Sequence, residues 1–176
     1  PKQKGNTYLF TSKDTDMTKW ATVACDQYTS QPDYWTETEK TVSDKPSTYR
    51  LMLPEIYLNE SDADARIERI NKTMEDYISQ GILQKHEPAM ILIERTTPIS
   101  PVRTGIIVAL DLEKYDFNKG SDSLIRATEG TVIERIPPRM KIRKNAAIEM
   151  PHIMILIDDP DKTVVEPIAA KASFFD

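Results

Sequence analysis

The sequence has one cysteine, Cys25, two histidines and five glycines among its 176 residues. A single cysteine excludes an internal disulfide and a thiolate-rich metal site, and it favours a reducing compartment. Because Cys25 follows an apolar, β-favouring run, we expect it to be buried and inert. His86 and His152 are far apart, with no metal-ligand spacing around either of them. With so little glycine, the chain also has no glycine-rich phosphate loop.

Long hydrophobic runs and an overall positive charge are missing as well. No apolar run approaches the ~20 residues that span a bilayer, and no hydrophobic signal core follows the first residues. The formal net charge of −5 argues against general nucleic-acid binding. We therefore expect a cytoplasmic protein that does not interact with membranes.

The sequence does contain strand-like and helix-like segments in irregular alternation. Tyr8–Phe10 looks like a short strand, and β-favouring composition predicts further strands near 20–25, 49–53, 89–95, 105–112 and 152–157, the last five in a common sheet. The proline-containing connection after 89–95 indicates a hairpin, and residues 163–166 are expected to return as the partner of 152–157.

Two helices are predicted between these strands. One begins at Ser30 or Gln31 and ends before Pro46. The other runs from Ser61, as part of a capping box, to Gln80, with Gly81 as the residue that ends it. Its apolar face is expected to pack on the sheet through Ile67, Ile70, Met74 and Ile78. These elements predict a single α+β domain over residues 1–176, with a mixed or largely antiparallel sheet and flanking helices.

The segment 126–144 reverses the sign of the charge. It holds six basic residues and two acidic ones, although the whole chain is acidic. Four of the six are Arg126, Arg135, Arg139 and Arg143, whose planar guanidinium groups suit phosphate or carboxylate. Thr131 adds a hydroxyl, and two consecutive prolines stiffen the backbone. The segment therefore predicts a phosphate-binding site, the alternative being a solvated segment that pairs with the acidic remainder of the chain.

Glu129 is the candidate general base of this segment. Its carboxylate could accept a proton from a substrate hydroxyl, and the alternative is a salt-bridged surface glutamate. We expect no metal site made by the protein alone. A turn at Asp158, Asp159 and Asp161 has oxygen ligands of the type that Mg²⁺ prefers, but it lacks the spacing of a Ca²⁺ loop, and a solvated turn is the better interpretation.

Four runs of the sequence closely resemble DUF1015, a bacterial family of proteins of unknown function, in the subfamily found in Firmicutes and their relatives. The runs are Trp20–Ser30, Leu53–Leu58, Ala109–Asp116 and Ile125–Thr131. Typical members have a His-Glu-x-Thr pattern followed by Asp-Arg, and the matching positions here are Glu129, Thr131 and Arg139. The His and Asp of that pattern are replaced by Thr128 and Pro138. Because such proteins are usually longer, the resemblance implies that this chain is an N-terminal part.

The resemblance also favours a site role for Asp26 and Tyr28, the alternative being turn and helix-capping chemistry, which fully explains the nearby Ser30 and Asp33. More remotely, the family is similar to the ParB and sulfiredoxin-like group, which includes free-serine kinases and nucleotide-binding proteins. That similarity is at the level of fold, and function has to be argued from the site.

Two hypotheses therefore remain open, and the sequence does not decide whether the protein is an enzyme. The first is a nucleotide-dependent small-molecule kinase or phosphate-ligand-binding enzyme, with a phosphorylated or anionic small molecule as partner and Glu129 as base. It would require a nucleotide with Mg²⁺ as cofactor. The second is a non-catalytic ligand-binding or regulatory module of a longer chain.

Overall fold

The computed structural model describes the backbone of residues 7–10 and all of residues 15–150 and 152–173. The helices in these residues are α1 (Pro32–Val42), α2 (Ala63–Ser79), α3 (Ile136–Arg143) and α4 (Val165–Ala169). The strands are β1 (Thr7–Phe10), β2 (Leu83–His86), β3 (Ile91–Arg95), β4 (Arg103–Ile107), β5 (Tyr115–Asp116) and β6 (Ile125–Arg126). This mixture of helices and short strands confirms the α+β class.

The strands do not form the expected common sheet. They form three two-stranded sheets, in which β1 pairs with β2, β3 with β4, and β5 with β6. The β3–β4 hairpin is antiparallel and aligns Ile91 with Ile107 and Arg95 with Arg103, which confirms the predicted hairpin. The β5–β6 pair is parallel. Strand β1 confirms the prediction for Tyr8–Phe10.

Three predicted strands are wrong. Residues 20–25 and 152–157 have no strand structure, and 49–53 begin with a 3-10 turn, Thr48–Leu51, because the Ser47 side chain accepts a hydrogen bond from the Tyr49 amide at 3.1 Å. Without a partner ladder, β-favouring composition alone does not make a strand. The predicted return strand at 163–166 is also wrong, since α4 begins at Val165.

The chain falls into two compact units. The cored unit comprises Tyr8–Lys85 and Thr131–Ile153. The hairpin unit comprises His86–Gly130 and the described residues from Met154 onward. The prediction that the chain is a single domain stays a prediction.

The core of the cored unit is built around helix α2. Its residues Ile67, Ile70 and Met74 are buried as predicted, and Ile78 packs at the margin of the same cluster. Their partners include Leu51, Leu53 and Leu83, so the helix packs mainly on turns and loops rather than on a common sheet. The predicted capping box is absent because the N-cap is Asp62 and its side chain caps no amide. Gly81, at φ 74°, does take the left-handed backbone that ends the helix.

A second, smaller cluster lies under helix α1. Trp35 is completely buried between Val42 and Tyr49, and its ring stacks with that of Tyr49 at 6.2 Å between centroids. Pro32 sits in the first turn of the helix, where its missing N–H costs no hydrogen bond. The helix begins after Gln31 and ends at Val42, as the sequence predicts.

The hairpin unit contains β3 to β6 and helix α4. Helix α4 contacts β4. None of the described residues in this unit is buried, and Ile99 in the hairpin loop is almost fully exposed. No helix in the part of the chain that the structure describes is long and apolar enough to cross a membrane.

Candidate functional site

Two loops of the cored unit are held together by the backbone. The Glu55 amide donates to the Cys25 carbonyl oxygen at 2.8 Å, which brings Asp26 next to Glu55. The first loop is also tied to helix α1, because the buried Trp35 indole N–H donates to the Gln27 carbonyl oxygen at 3.2 Å. The hydrophobic core therefore fixes the position of two carboxylates that are themselves partly exposed.

The arginines come from the segment before and inside helix α3. Arg135 ends a 3-10 turn, Ile133–Arg135, and Arg139 follows the two prolines that begin the helix. Prolines suit this first turn because their missing N–H costs no hydrogen bond there, so the stiff backbone predicted around them is the start of a helix. Ile142 in this helix and Ile148 after it pack against the main core cluster and hold the helix in place.

The two pairs of side chains meet in one group, which we call the charged cluster: Asp26, Glu55, Arg135 and Arg139. Arg135 Nε lies 3.8 Å from Glu55 Oε1. Arg139 Nη2 lies 3.9 Å from both Glu55 Oε2 and Asp26 Oδ2. At these distances the side chains form ion pairs, but the atoms are too far apart for direct hydrogen bonds. The guanidinium groups can therefore still direct N–H donors at a third group.

Two open cavities border the charged cluster and share Glu55 and Arg135. The first has a volume of about 240 Å³ and is also lined by Asp26, Thr29 and Ile56. The second has a volume of about 270 Å³ and extends along Arg139. The side chains of Arg135 and Arg139 are 56% and 46% exposed, which leaves both accessible to a small ligand. Either volume is smaller than a typical drug-sized pocket, and it suits a phosphate or a small acid.

The other predicted site residues lie elsewhere in the described structure. Arg143 pairs with Glu149 at 3.0 Å. Tyr28 is in the same loop as Asp26, and its ring stacks on Tyr34 at 4.0 Å between centroids. Thr131 is an exposed residue of the cored unit, whereas Arg126 in β6 and Glu129 after it are exposed residues of the hairpin unit. The functional roles of all these residues stay predictions.

Glu55 is the member of the charged cluster that the sequence did not single out. It lies within one of the runs that carry the family resemblance, but it has no acidic or basic neighbour at a spacing that would mark it. Its place in the cluster depends on the Cys25–Glu55 backbone contact, which is a tertiary feature. Sequence spacing alone has no signal for such a contact.

Two other candidates have structural explanations. Burial raises the pKa of the Cys25 thiol, aided by the nearby Asp26 carboxylate, so the group is protonated near neutral pH, although the residue is only half-buried. Asp159 accepts hydrogen bonds from the amides of Thr163 and Val164, at 3.0 and 2.8 Å, which is turn chemistry. No group of three or more His, Cys, Asp or Glu residues within the described ranges could hold a metal ion.

Comparison with known proteins identifies the family to which this chain belongs. The family model of a protein of unknown function, DUF1015, matches residues 10–176. The chain therefore belongs to the DUF1015 family, as its sequence runs predicted. Searches of curated proteins and of solved structures found no match.

Proposed function

We propose that this protein binds a small phosphorylated or anionic molecule at the charged cluster. The observation that carries the proposal is the pair of half-exposed arginines, Arg135 and Arg139, on the border of two cavities with their carboxylate partners 3.8–3.9 Å away. An incoming phosphate can accept hydrogen bonds directly from the guanidinium N–H groups, at the shorter distance that charge-assisted hydrogen bonds prefer. The exchange replaces loose ion pairs by directed bonds.

The two carboxylates restrict the kind of anion that fits. An anion beside Asp26 and Glu55 is repelled unless it also carries a hydroxyl or ammonium group, or arrives with a cation. A phosphorylated metabolite with hydroxyl groups meets this requirement, and so does a nucleotide with bound Mg²⁺. A simple phosphate ion meets it less well, and we expect it to bind more weakly.

The more specific form of the proposal is a bacterial, cytoplasmic, nucleotide-dependent small-molecule kinase. In that form the sequence assigns to Glu129 the role of general base and to Arg126, Arg135, Arg139 and Arg143 that of phosphate ligands. The remote resemblance to the group that includes free-serine kinases supports the same activity. The second candidate is a non-catalytic ligand-binding module. It is favoured by the carboxylate partners of both arginines, since a charge-balanced cluster can also serve recognition without turnover.

Calorimetric titration of the parent protein with ATP, ADP, pyrophosphate and inorganic phosphate tests the binding step. We expect Arg139→Ala to weaken the tightest ligand by roughly 10-fold or more, since hydrogen bonds to charged groups contribute about 1.5–3 kcal/mol. Arg69→Ala is the matched control, because it removes an exposed arginine from α2 and changes the net charge equally. The proposal is wrong if none of the four ligands binds the parent below millimolar concentration, or if both variants lose affinity to the same extent.

A phosphotransfer assay with the same nucleotides and a panel of small hydroxyl compounds then separates the two candidates. For a kinase, Glu129→Gln should abolish product formation while the nucleotide affinity stays close to that of the parent. For a binding module, the parent itself should form no phosphorylated product, even at saturating ligand. Turnover that survives in Glu129→Gln would remove Glu129 from the mechanism and leave the binding proposal in place.

A further inference from the structure

The loop beside the charged cluster presents an aromatic ring in a backbone conformation that an aromatic residue rarely adopts. Tyr28 has φ 53°, in the left-handed region, and it is 42% exposed. A turn that only needed this backbone would be filled more easily by glycine or asparagine. The turn geometry therefore does not explain the choice of tyrosine, and the reason has to lie in what the two faces of the ring contact.

We propose that the outer face of Tyr28 is a stacking platform for a planar base, so that the ligand of the charged cluster is a nucleotide. This inference rests on the proposed phosphate binding and deepens it by naming the second half of the ligand. The inner face of the ring is already covered by Tyr34, to which it lies almost parallel, at 13°. Because Tyr28 is nonetheless 42% exposed, its other face is the candidate for a further ring.

The platform is held from beneath by a series of aromatic contacts that ends in the core. Tyr34 meets Trp35 edge to face at 5.2 Å, and Trp35 stacks with Tyr49. Trp35 is completely buried, and its indole hydrogen bond to Gln27 fixes the residue just before Tyr28. A ring held in this way loses little conformational freedom when a base stacks on it, which favours binding.

The position of Tyr28 links the platform to the phosphate site. Asp26 and Thr29, on either side of it in the sequence, both line the 240 Å³ cavity that Arg135 borders. Base stacking is tolerant of sequence and of base identity, because every base has a π-face. The platform thus predicts a preference for nucleotides over their base-free polyphosphates, with weak discrimination among the bases.

The experiment compares ATP with tripolyphosphate, and ADP with pyrophosphate, by calorimetric titration of four proteins. The ring-removing variant is Tyr28→Asn, since asparagine tolerates the left-handed backbone and keeps the turn. Tyr28→Phe keeps the ring and should bind like the parent. Tyr115→Ala is the matched control, because Tyr115 is equally exposed, at 42%, but belongs to the hairpin unit. Tryptophan fluorescence checks that each variant keeps the core around Trp20 and Trp35.

We expect the parent to bind ATP more tightly than tripolyphosphate, and Tyr28→Asn to weaken ATP by roughly 5- to 100-fold, the range for base–aromatic stacking. Tripolyphosphate affinity should be unchanged in all four proteins. If tripolyphosphate binds the parent as tightly as ATP, or Tyr28→Asn weakens both ligands equally, the platform is wrong while phosphate binding stands. If neither ATP nor tripolyphosphate binds the parent, both proposals are overturned.

Discussion

The two units of this protein differ most in what they bury. Among its described residues, the cored unit buries twelve hydrophobic side chains, which include both tryptophans of the chain. In the described part of the hairpin unit no side chain is buried, and Ile99, Leu124 and Leu156 are at least 80% exposed. Buried apolar area is the main source of folding free energy, and a two-stranded hairpin alone is marginal. We therefore expect the cored unit to open far less often than the hairpin unit.

The difference also explains where a rigid site can be built. In the charged cluster, Asp26 and Glu55 are held by a backbone hydrogen bond and by the Trp35 contact, both anchored in buried residues. Glu129 and Arg126 belong to the other unit, none of whose described residues is buried. Functional groups need supporting side chains that are locked by packing. On this ground, the charged cluster is the stronger candidate for ligand recognition.

The sharpest test of this contrast makes the same substitution in both units. Ile70→Ala should cost roughly 2–5 kcal/mol in the free energy of unfolding, because Ile70 is buried in the main core cluster. Ile99→Ala should change it by less than about 0.5 kcal/mol, because that side chain is 97% exposed. Urea unfolding monitored by tryptophan fluorescence reports on the cored unit, which holds both tryptophans. Equal costs for the two variants would contradict the contrast between the units.

Alkaline titration provides a second test of the core. Burial raises the pKa of Tyr49 to about 12, above the ordinary value of 10.0 for the unfolded chain. The unfolded state therefore loses its proton first, and the stability that the neutral phenol contributes is present below pH 10 and is lost as the pH rises towards 12. At about 1.4 kcal/mol per pKa unit, the loss is on the order of 2–3 kcal/mol.

The control is Tyr49→Phe, which keeps the ring and has no proton to release. Its free energy of unfolding should fall less steeply between pH 10 and 12 than that of the parent, and the two should run in parallel at neutral pH. Other groups that titrate in this range act on both proteins and cancel in the comparison. Parallel curves across the whole range would show that Tyr49 ionises as easily in the folded protein as in the unfolded chain.

Replacing one glycine by alanine in each unit should change the stability by a smaller amount, and the sign of the change should differ between the two units. Gly81 has φ 74° with no atom near the position of an added Cβ, so Gly81→Ala should cost about 1 kcal/mol from backbone strain alone. Gly105, in strand β4, has equal space and no positive φ, so Gly105→Ala should be neutral or slightly stabilising. Thermal unfolding monitored by circular dichroism measures both. A stabilised Gly81→Ala protein would mean that the end of α2 does not need its left-handed residue.

Helix α2 and the β3–β4 hairpin were predictable because their signals are local and repeated. Ile67, Ile70 and Met74 recur at helical spacing, and Gly81 ends the pattern, so the helix was located within two residues at either end. The hairpin follows from two β-favouring runs and a loop with two prolines. In both elements, the pattern that predicts the structure lies within about twenty consecutive residues.

The failures were short apolar runs without such repetition. Tyr49, Leu51 and Leu53 are buried at alternate positions, as in a strand. None of the described strands pairs with them, and the segment begins with a 3-10 turn. For the site, the excess of positive charge drew attention to Arg135 and Arg139, and the structure pairs both of them with Glu55, although their binding role stays a prediction. Glu55 was missed because only the tertiary Cys25–Glu55 contact brings it to them.

The smallest expected effect concerns the stability of the charged cluster itself. A double-mutant cycle of Arg139→Ala and Glu55→Ala should give a coupling energy of less than about 1 kcal/mol, falling further in high salt. The reason is that the two charges are 3.9 Å apart without a direct hydrogen bond, and the Arg139 side chain is 46% exposed. The same arginine should nevertheless contribute to ligand affinity, since a bound phosphate would accept hydrogen bonds directly from its N–H groups. A coupling energy above about 2 kcal/mol would mean that the Arg139–Glu55 pair is a structural salt bridge. An anion would then have to displace Glu55 from Arg139, and the free energy of the proposed binding could not easily offset that cost.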